Sequence, residues 1–312
     1  MTEAIHAEGL SKTYNGKVKA VENVAFTVNA GEAYGFLGPN GAGKTTTVAM
    51  LTAGLAPTAG SAVVDGIDVF ANPNEIKRRI GIVFQESTAD SDLTGRENLE
   101  LAAALFSVPR KEVRGRIDSL LERMQIGEAA DRLAKTYSGG MRRRLELAVG
   151  IIHAPRVLFL DEPTLGLDPQ GRAGFWRYVE ELRKEHGMTV FLTTHYLEEA
   201  DGLCDRIAII DHGHIVATGT PSELKDRLGG DVVTIKPTRT EPTLAALLQT
   251  IPGVTAVTLQ DGAYRVKGTN GEQLVPALVE TCTRANVGLA SVSLKRPSLD
   301  EVFLEFTGRE FR

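Results

Sequence analysis

The sequence has no long hydrophobic run. Its longest apolar stretches are short ones such as VLFL and AVGII, whereas a membrane-spanning helix needs about 20 consecutive apolar residues. The amino terminus, MTEAIHAEGL, has no basic cluster followed by an apolar stretch, which a secretion signal requires. We therefore expect a chain that is not secreted and does not cross a membrane by itself.

Cysteine and excess positive charge are also scarce. The two cysteines, Cys204 and Cys282, have neither a metal-like nor a CxxC spacing, so we expect no disulfide framework and a cytoplasmic, reducing compartment. Lysine and arginine number 35 against 40 aspartates and glutamates, a formal net charge of -5. Because a domain that binds polyanions carries a basic footprint, this balance predicts no nucleic-acid partner.

The first two-thirds of the sequence contains four candidates for buried strands. They are AYGFLG, IGIVFQ, RVLFLDE and TVFLTTH, and helical patterns separate them. Such strands predict an α/β fold with a parallel sheet covered on both faces. Ligands of these sheets bind at the carboxyl ends of the strands. Those ends carry Gly38, Gln85, Asp161 with Glu162, and His195.

The first strand leads into a glycine-rich loop. Gly38-Pro39-Asn40-Gly41-Ala42-Gly43-Lys44-Thr45 fits the phosphate-binding pattern GxxxxGK[ST] at every position. Glycines let backbone N–H groups surround phosphate oxygens, and the helix that follows presents its positive end to them. We predict that this loop and the adjacent Thr46 bind ATP, with Lys44 on the β- and γ-phosphates and Thr45 on Mg²⁺. The strand before the loop and the helix after it disfavour the alternative of a turn without a ligand.

Two carboxylates follow the third strand. Asp161 matches the carboxylate that holds Mg²⁺, directly or through water, in phosphate-loop enzymes. Glu162 is placed to accept a proton from the attacking water, or to orient it. Acidic residues also punctuate ordinary strand ends, but a phosphate loop upstream favours the chemical role. ATP and Mg²⁺ are therefore the expected cofactors.

The stretch YSGGM at residues 137–141 narrows the class of enzyme. Ser138 is a good N-cap for an amphipathic helix, and Gly139 and Gly140 leave backbone N–H groups free for a second anion. Here the sequence resembles the ATP-binding cassette (ABC) family, whose signature is LSGGQ. The resemblance implies that Ser138, Gly139 and Gly140 contact the γ-phosphate of ATP bound to the opposite subunit, in a homodimer that encloses two ATP molecules.

Further landmarks in the first 220 residues follow the order of that family. The resemblance implies that Tyr14 stacks on adenine, that Gln85 senses Mg²⁺ and the membrane partner, that Asp168 belongs to a cross-dimer loop, and that His195 touches the γ-phosphate. Each of these has an ordinary alternative. Tyr14 would then be an edge-strand aromatic, Asp168 a helix N-cap before Pro169, His195 a hydrogen-bonded core histidine, and Gln85 likewise a residue with a structural role alone.

The signature departs from the family pattern at two positions. Tyr137 stands where the family has leucine, and Met141 stands where it has glutamine. Because Ser138 and both glycines remain, we expect the γ-phosphate contact to persist without the hydrogen bond of the glutamine. The next three residues, 142–144, are arginines, and we expect them on the solvated side of the helix. A patch that faces a phosphate or a partner is the alternative.

A helical insert is predicted at about residues 88–150. Thr94-Gly95-Arg96-Glu97 is a capping box before LELAAALF, and a second helical pattern runs from about Lys111 to Met124. In the cassette family this helical subdomain receives the membrane partner.

The length of 312 residues allows one large core and one small one. We predict a nucleotide-binding domain over residues 1–220, a linker over 221–230 that starts as a helix and breaks at Gly229-Gly230, and an accessory domain over 231–312. The accessory domain follows the order βαββαβ of an α+β, ferredoxin-like fold. Its first helix is predicted near Pro242 to Gln249 and its hairpin turn at Asp261-Gly262.

A final helix is predicted before Arg309. Ser298 and Glu301 form a capping box, and Gly308 stops the helix. Its apolar stripe consists of Leu299, Val302, Phe303 and Phe306. The stripe either packs on its own domain, which is the simpler interpretation, or steadies the dimer or the membrane partner. Together with YSGGM, this ending resembles the drug-resistance exporter branch of the family, typified by the daunorubicin exporter ATPase.

The leading functional interpretation is the ATPase subunit of an ABC exporter of drugs, lipids or other apolar compounds. The resemblance implies a location on the inner face of the cell membrane and a separate polytopic permease. A cassette ATPase of ribosomes or DNA is one rival, but such proteins usually have two cassettes or a long coiled coil, and this chain has one cassette and no sustained heptads. The other rival, a phosphate-loop kinase, gives no reason for the signature helix.

Overall fold

The computed structural model describes residues 2–228, 230–239, 241 and 243–308. Contacts among these residues divide them into two compact units, residues 2–218 and residues 219–308. Met1, Gly229, Thr240, Pro242 and residues 309–312 lie outside the described set. The predicted break at Gly229 and the predicted helix start near Pro242 therefore stay predictions.

The first unit alternates strands and helices, as the apolar runs predict. In chain order its elements are β1 (Glu3–Tyr14), β2 (Val18–Asn29), β3 (Ala33–Leu37), α1 (Lys44–Leu51), β4 (Ala59–Val64), β5 (Ile67–Asp68), α2 (Pro73–Arg79), β6 (Ile80–Val83), α3 (Gly95–Leu105), α4 (Arg110–Arg123), α5 (Gly139–Ile151), β7 (Val157–Asp161), α6 (Pro169–His186), β8 (Thr189–Thr194), α7 (Leu197–Leu203), β9 (Arg206–Asp211) and β10 (His214–Gly219). Short 3-10 helices at Gly127–Ala129 and Ala134–Thr136 precede α5.

Six strands form the central sheet, in the order β10-β9-β3-β8-β7-β6. The pairs from β9 through β6 are parallel, and β3, β7 and β8 are buried along their whole length. The four predicted strands are β3, β6, β7 and β8, so the prediction of a parallel sheet is confirmed. Their carboxyl ends lie at one edge of the sheet, which is where the candidate residues follow.

A second sheet, ordered β2-β1-β4-β5 and antiparallel, shares a core with the first. Ile5 and Val28 of this sheet belong to the same buried cluster as Phe36 and Phe159 of the parallel sheet. Phe26 stacks on Tyr34 of β3 at 5.6 Å between ring centroids. Because apolar packing of this kind holds β3 from the side, it fixes the point at which the glycine loop leaves the sheet.

The insert between β6 and β7 is helical, as predicted. Thr94 caps α3 with Glu97 in a complete capping box, and α4 spans the second predicted helix. Within the described ranges, no helix combines the length and the apolar character needed to cross a membrane.

The second unit is the predicted α+β domain. Its elements are α8 (Pro221–Asp226), β11 (Asp231–Pro237), α9 (Leu244–Gln249), β12 (Val254–Gln260), β13 (Ala263–Gly268), α10 (Gly271–Arg284), β14 (Leu289–Lys295) and α11 (Leu299–Thr307). The sheet order is β12-β13-β11-β14 with antiparallel pairs, which is the ferredoxin-like arrangement of βαββαβ.

The segment 221–230, which we predicted as a linker, holds α8 and clusters with the second unit. Thr220 and Glu223 cap this helix with a full capping box. The last helix, α11, packs against α8. Leu299, Val302 and Phe303 of its apolar stripe are buried, and Gly308 ends the helix with a φ of 71°.

Candidate active site

The glycine loop joins the end of β3 to the start of α1. Gly41 and Gly43 have φ values of 80° and 109°, in the region that favours glycine. A Cβ atom on Gly43 would lie 2.5 Å from the carbonyl oxygen of Ala20, and one on Gly38 would lie 2.3 Å from that of Ile210. The loop therefore takes this path only with glycine at both positions. Its N–H groups and the first turn of α1 offer donors to an anion.

Lys44 lies buried between the loop and a carboxylate. Its Nζ donates to the carbonyl oxygen of Gly38 at 2.7 Å and to that of Pro39 at 3.2 Å. The same Nζ lies 3.1 Å from Oε1 of Glu162. Ala42 is also buried, and its N–H donates to the Pro39 carbonyl at 3.2 Å. The lysine charge is thus held where the loop and the end of β7 meet.

Asp161 and Thr45 place a carboxylate and a hydroxyl oxygen side by side. The Thr45 hydroxyl donates to Oδ1 of Asp161 at 3.4 Å, and the Thr193 hydroxyl donates to the same oxygen at 2.5 Å. No cluster of three or more His, Cys, Asp or Glu that could hold a metal occurs among the described residues. Mg²⁺ commonly takes one or two carboxylates and completes its shell with phosphates and water. A carboxylate beside a hydroxyl, next to a phosphate loop, fits that requirement.

Glu162 is held in an unusual backbone conformation. Its φ is 46°, which costs a residue with a side chain about 1–3 kcal/mol. Its N–H donates to both the carbonyl and the hydroxyl oxygen of Thr193. Its Oε2 lies 3.1 Å from Nδ1 of His195. The buried carboxylate therefore bridges Lys44 and His195.

A cavity of about 390 Å³ opens over these groups. Its lining includes Tyr14, Asn40, Gly41, Gly43, Lys44, Thr45, Thr46, Gln85 and Glu162. Tyr14 is 39% exposed at the end of β1, and Gln85 is exposed just after β6. The structure thus brings an aromatic ring, the glycine loop and two polar strand endings together around one space.

The signature residues lie elsewhere in the unit. Ser138 caps α5 by accepting from the N–H of Met141 at 3.3 Å. Asp168 caps α6 by accepting from the N–H of Gly171 at 2.6 Å. Gly140 and Asp168 line a different cavity, of about 610 Å³. Within one chain, the serine-glycine element is therefore not part of the glycine-loop cavity.

The Tyr137 side chain fits at this position because Gly95, which faces it, has no Cβ atom. The ring is buried, and its hydroxyl donates to the carbonyl oxygen of Ala129 at 2.6 Å. A Cβ atom on Gly95 would lie 2.2 Å from that hydroxyl. Burial raises the pKa of the Tyr137 phenol, so it stays a neutral donor. The tyrosine anchors the start of the signature to the helical insert.

The expectation of a solvated side for the three arginines is wrong for Arg143. This side chain is buried and hydrogen-bonds to backbone carbonyls of other segments. Arg142 and Arg144 are partly buried, and Arg144 donates to the carbonyl oxygen of Gly140 at 3.2 Å. The amphipathic pattern misplaced Arg143 because a long side chain can reach backbone acceptors from the side of a helix.

Sequence reasoning also missed Thr193 and Glu199. Glu199 accepts from Thr164 at 2.7 Å and from Thr194 at 3.0 Å, which ties α7 to the ends of β7 and β8. The paired threonines before His195 were a signal that could have been used, since hydroxyls at a strand end often support an adjacent site.

Comparisons with known proteins match both units. Residues 21–165 match the family described as ABC transporter. Residues 219–307 match the family described as the C-terminal domain of DrrA1-3-like ATP-binding proteins.

Curated relatives extend over almost the whole chain. The daunorubicin/doxorubicin resistance ATP-binding protein DrrA of Streptomyces peucetius is 45% identical over 310 residues, covering 98% of this chain and 93% of the relative. The Nod factor export ATP-binding protein I of Ralstonia nicotianae is 39% identical over 314 residues, covering 100% and 96%.

A solved structure is similar to the first part of the chain. The dimeric, post-hydrolysis ATP-binding cassette MJ0796 bound to ADP and Pi aligns with a TM-score of 0.64 and 26% identity. The alignment covers 69% of this chain and 98% of the cassette.

Proposed function

Because this chain belongs to the family of ABC transporter ATP-binding proteins and is an ATPase, we propose that it powers an exporter of drugs, lipids or other apolar compounds. In this proposal two copies of the chain close on ATP and move a separate polytopic membrane subunit. The chain then works at the cytoplasmic face of the membrane, held there by that subunit. The names of the Streptomyces and Ralstonia relatives, one for drug resistance and one for export, support this direction of transport.

The glycine-loop cavity is the proposed hydrolytic site. The loop N–H groups and Lys44 hold the β- and γ-phosphates, and Tyr14 stacks on the adenine. Thr45, Asp161 and Gln85 would hold Mg²⁺, which would neutralise charge on the phosphate oxygens. Glu162 orients the attacking water and accepts its proton, while His195 holds the carboxylate and reaches toward the γ-phosphate. The observation that carries this assignment is the Glu162 carboxylate, 3.1 Å from both Lys44 and His195.

The signature residues supply the second half of the site in trans. Ser138, Gly139 and Gly140 offer a hydroxyl and the N-terminus of the 13-residue helix α5 to the γ-phosphate of the opposite copy. Asp168 contributes to the same interface. Support comes from the separation of Gly140 and Asp168 from the glycine-loop cavity, and from the dimeric state of the similar MJ0796 cassette.

Glu162→Gln tests the proposal. The amide keeps the shape of the side chain but cannot take the proton of the water, so ATP binds and is not hydrolysed. Size-exclusion chromatography of this variant with Mg-ATP is expected to show a stable dimer, and the parent chain with ADP a monomer. The matched control is Glu122→Gln, on the exposed surface of α4, which is expected to hydrolyse ATP at the parent rate. A Glu162→Gln variant that stays monomeric with ATP contradicts the two-copy site.

The transport part of the proposal needs the membrane subunit. Inside-out vesicles that contain both subunits are expected to take up a lipophilic dye or drug with ATP, and vesicles with Glu162→Gln are expected not to. Uptake that is equal with and without ATP hydrolysis contradicts an exporter driven by this chain.

A further inference from the structure

Arg143 on the signature helix connects three segments that carry site residues. It is 7% exposed. Its Nε donates to the carbonyl oxygen of Pro163, and its Nη1 donates to that of Phe84 at 2.7 Å. Its Nη2 lies 3.4 Å from the carbonyl oxygen of Glu162. Phe84 directly precedes Gln85, so one guanidinium links α5, the Glu162 peptide and the start of the Gln85 loop.

The Glu162 peptide needs such support because its backbone is strained. A residue with a side chain keeps a positive φ only where its surroundings hold it there. Thr193 binds the N–H side of Glu162 through two acceptors. Arg143 binds the carbonyl side and the next carbonyl, that of Pro163. The direction of the Glu162 side chain therefore depends on groups from β8 and from the signature helix.

The charge of Arg143 is balanced locally. Glu146, one turn further along α5, accepts from Nη1 at 2.6 Å and is 4% exposed. Two opposite charges that satisfy each other leave the remaining N–H groups of the arginine free to bind carbonyls. The planar fork of arginine suits three acceptors in different directions, which a lysine cannot match.

We propose that Arg143 is a positioning residue for ATP hydrolysis: from the signature helix it sets the direction of the Glu162 carboxylate and the start of the Gln85 loop. A shift of α5 then changes the geometry at Glu162. This inference rests on the proposed role of Glu162. It assigns to Arg143 no contact with the nucleotide.

The test removes the arginine without leaving a buried charge unpaired. Exchanging both members of a buried ion pair for apolar residues is often neutral for stability, whereas removing one member is strongly destabilising. The double variant Arg143→Met/Glu146→Leu is therefore expected to melt close to the parent temperature. Its kcat for ATP is expected to fall about 100-fold, as for a misplaced catalytic group. Its KM for ATP is expected to stay within about threefold, because the glycine loop and Lys44 are untouched.

Two single variants sharpen the result. Glu146→Gln leaves the Arg143 charge without its carboxylate, so it is expected to melt below the parent temperature. It keeps the carbonyl contacts of Arg143, so its kcat, measured well below that melting temperature, is expected to stay within about threefold of the parent. Arg143→Lys keeps a charge beside Glu146 but loses the fork, so an intermediate loss of about tenfold in kcat is expected. Arg143→Lys also serves as the test if the double variant does not fold.

The outcomes separate this inference from the proposed function. A folded double variant with the parent kcat, or Arg143→Lys with the parent kcat where the double does not fold, overturns the role of Arg143. If Glu162→Gln abolishes hydrolysis in the same assay, the proposed site survives that result. If Glu162→Gln hydrolyses ATP at the parent rate, the proposed site itself is wrong. If KM for ATP rises in the double variant while kcat stays unchanged, the positioning role is also overturned, since that result indicates weaker ATP binding.

Discussion

The proposed site has a glycine-loop half, with Lys44, Asp161 and Glu162, and a signature half, with residues 138–140. The two halves differ in how completely contacts within one chain hold their polar groups. Lys44, Asp161 and Glu162 are 5%, 2% and 7% exposed and are joined through hydrogen bonds and ion pairs to one another, to Thr193 and to His195. In contrast, a Cβ atom added to Gly139 or Gly140 would meet nothing within 4 Å, and among the described residues the Ser138 hydroxyl bonds only to the N–H of Met141. The first half is organised by the fold, and the second half presents an open surface.

This difference indicates that the two halves have different roles. A buried, pre-formed charge network stabilises developing charge without having to reorganise. An exposed helix tip with unobstructed N–H groups suits an anion that arrives from outside. The contrast supports the proposed dimer, in which each copy brings a finished catalytic half and an open docking half.

The largest effect is expected from replacing Lys44 in the glycine-loop half. Lys44→Ala removes the cation that faces both the loop carbonyls and Glu162, and leaves that carboxylate buried beside fewer donors. We expect kcat/KM for ATP to fall about 1,000-fold, together with loss of binding of a fluorescent ATP analogue. Lys111→Ala, on the exposed surface of α4, is the control and is expected to match the parent. A loss below tenfold in Lys44→Ala would show that the loop works without its lysine.

A smaller effect is expected from replacing Ser138 in the signature half. Ser138→Ala is expected to lower kcat about 100-fold and to leave binding of the ATP analogue to the single copy unchanged. The lost N-cap also costs about 1 kcal/mol of stability. Ser138→Asn separates the two effects, since asparagine caps helices as well as serine does. We expect this variant to melt like the parent and still hydrolyse slowly, and full activity would reduce Ser138 to a helix cap.

The organised half is also the part that the sequence predicts best. The apolar runs of β3, β6, β7 and β8 are short and mostly buried, and each reaches a candidate site residue at its end or within two residues of it, so local pattern and chemistry coincide. The strands β1 and β2 were not predicted. Their pairing shifts register between Ala7 and Leu10 and between Leu10 and Lys12, and such bulges interrupt the alternation by which half-buried strands are recognised.

Contacts between distant segments explain the remaining differences. The apolar run of β9 resembles the predicted strands, yet it ends on no motif that draws attention to it. The burial of Arg143 depends on carbonyl groups of Phe84 and Pro163, which lie 59 and 20 residues away. A helical pattern records which side of α5 is apolar, but it does not record which loops come within reach of a long side chain.

The smallest effect that we predict concerns His153, which connects the carboxyl-terminal end of α5 to strand β6. His153 follows α5, stacks on Phe106 at 3.9 Å between centroids, and contacts the carbonyl oxygen of Ile80 in β6 through Nε2 at 3.1 Å. Its Nδ1 is buried and has no hydrogen-bond partner within the described part of the chain. Burial lowers the pKa of His153 from 6.5 to about 4, and the nearby charge of Arg116 adds to that effect.

The sign of the pH effect follows from that shift. Between pH 6.5 and about 4 the unfolded chain binds a proton that the folded chain does not, so stability is lost as the pH falls through this window. We expect His153 to remove about 2 kcal/mol of unfolding free energy across it, a value reduced because the ring is partly exposed. Urea unfolding at pH 7 and pH 4 measures the change. His153→Phe keeps the stacking and is expected to lose this part of the pH dependence, whereas an unchanged dependence would show that His153 does not cause it.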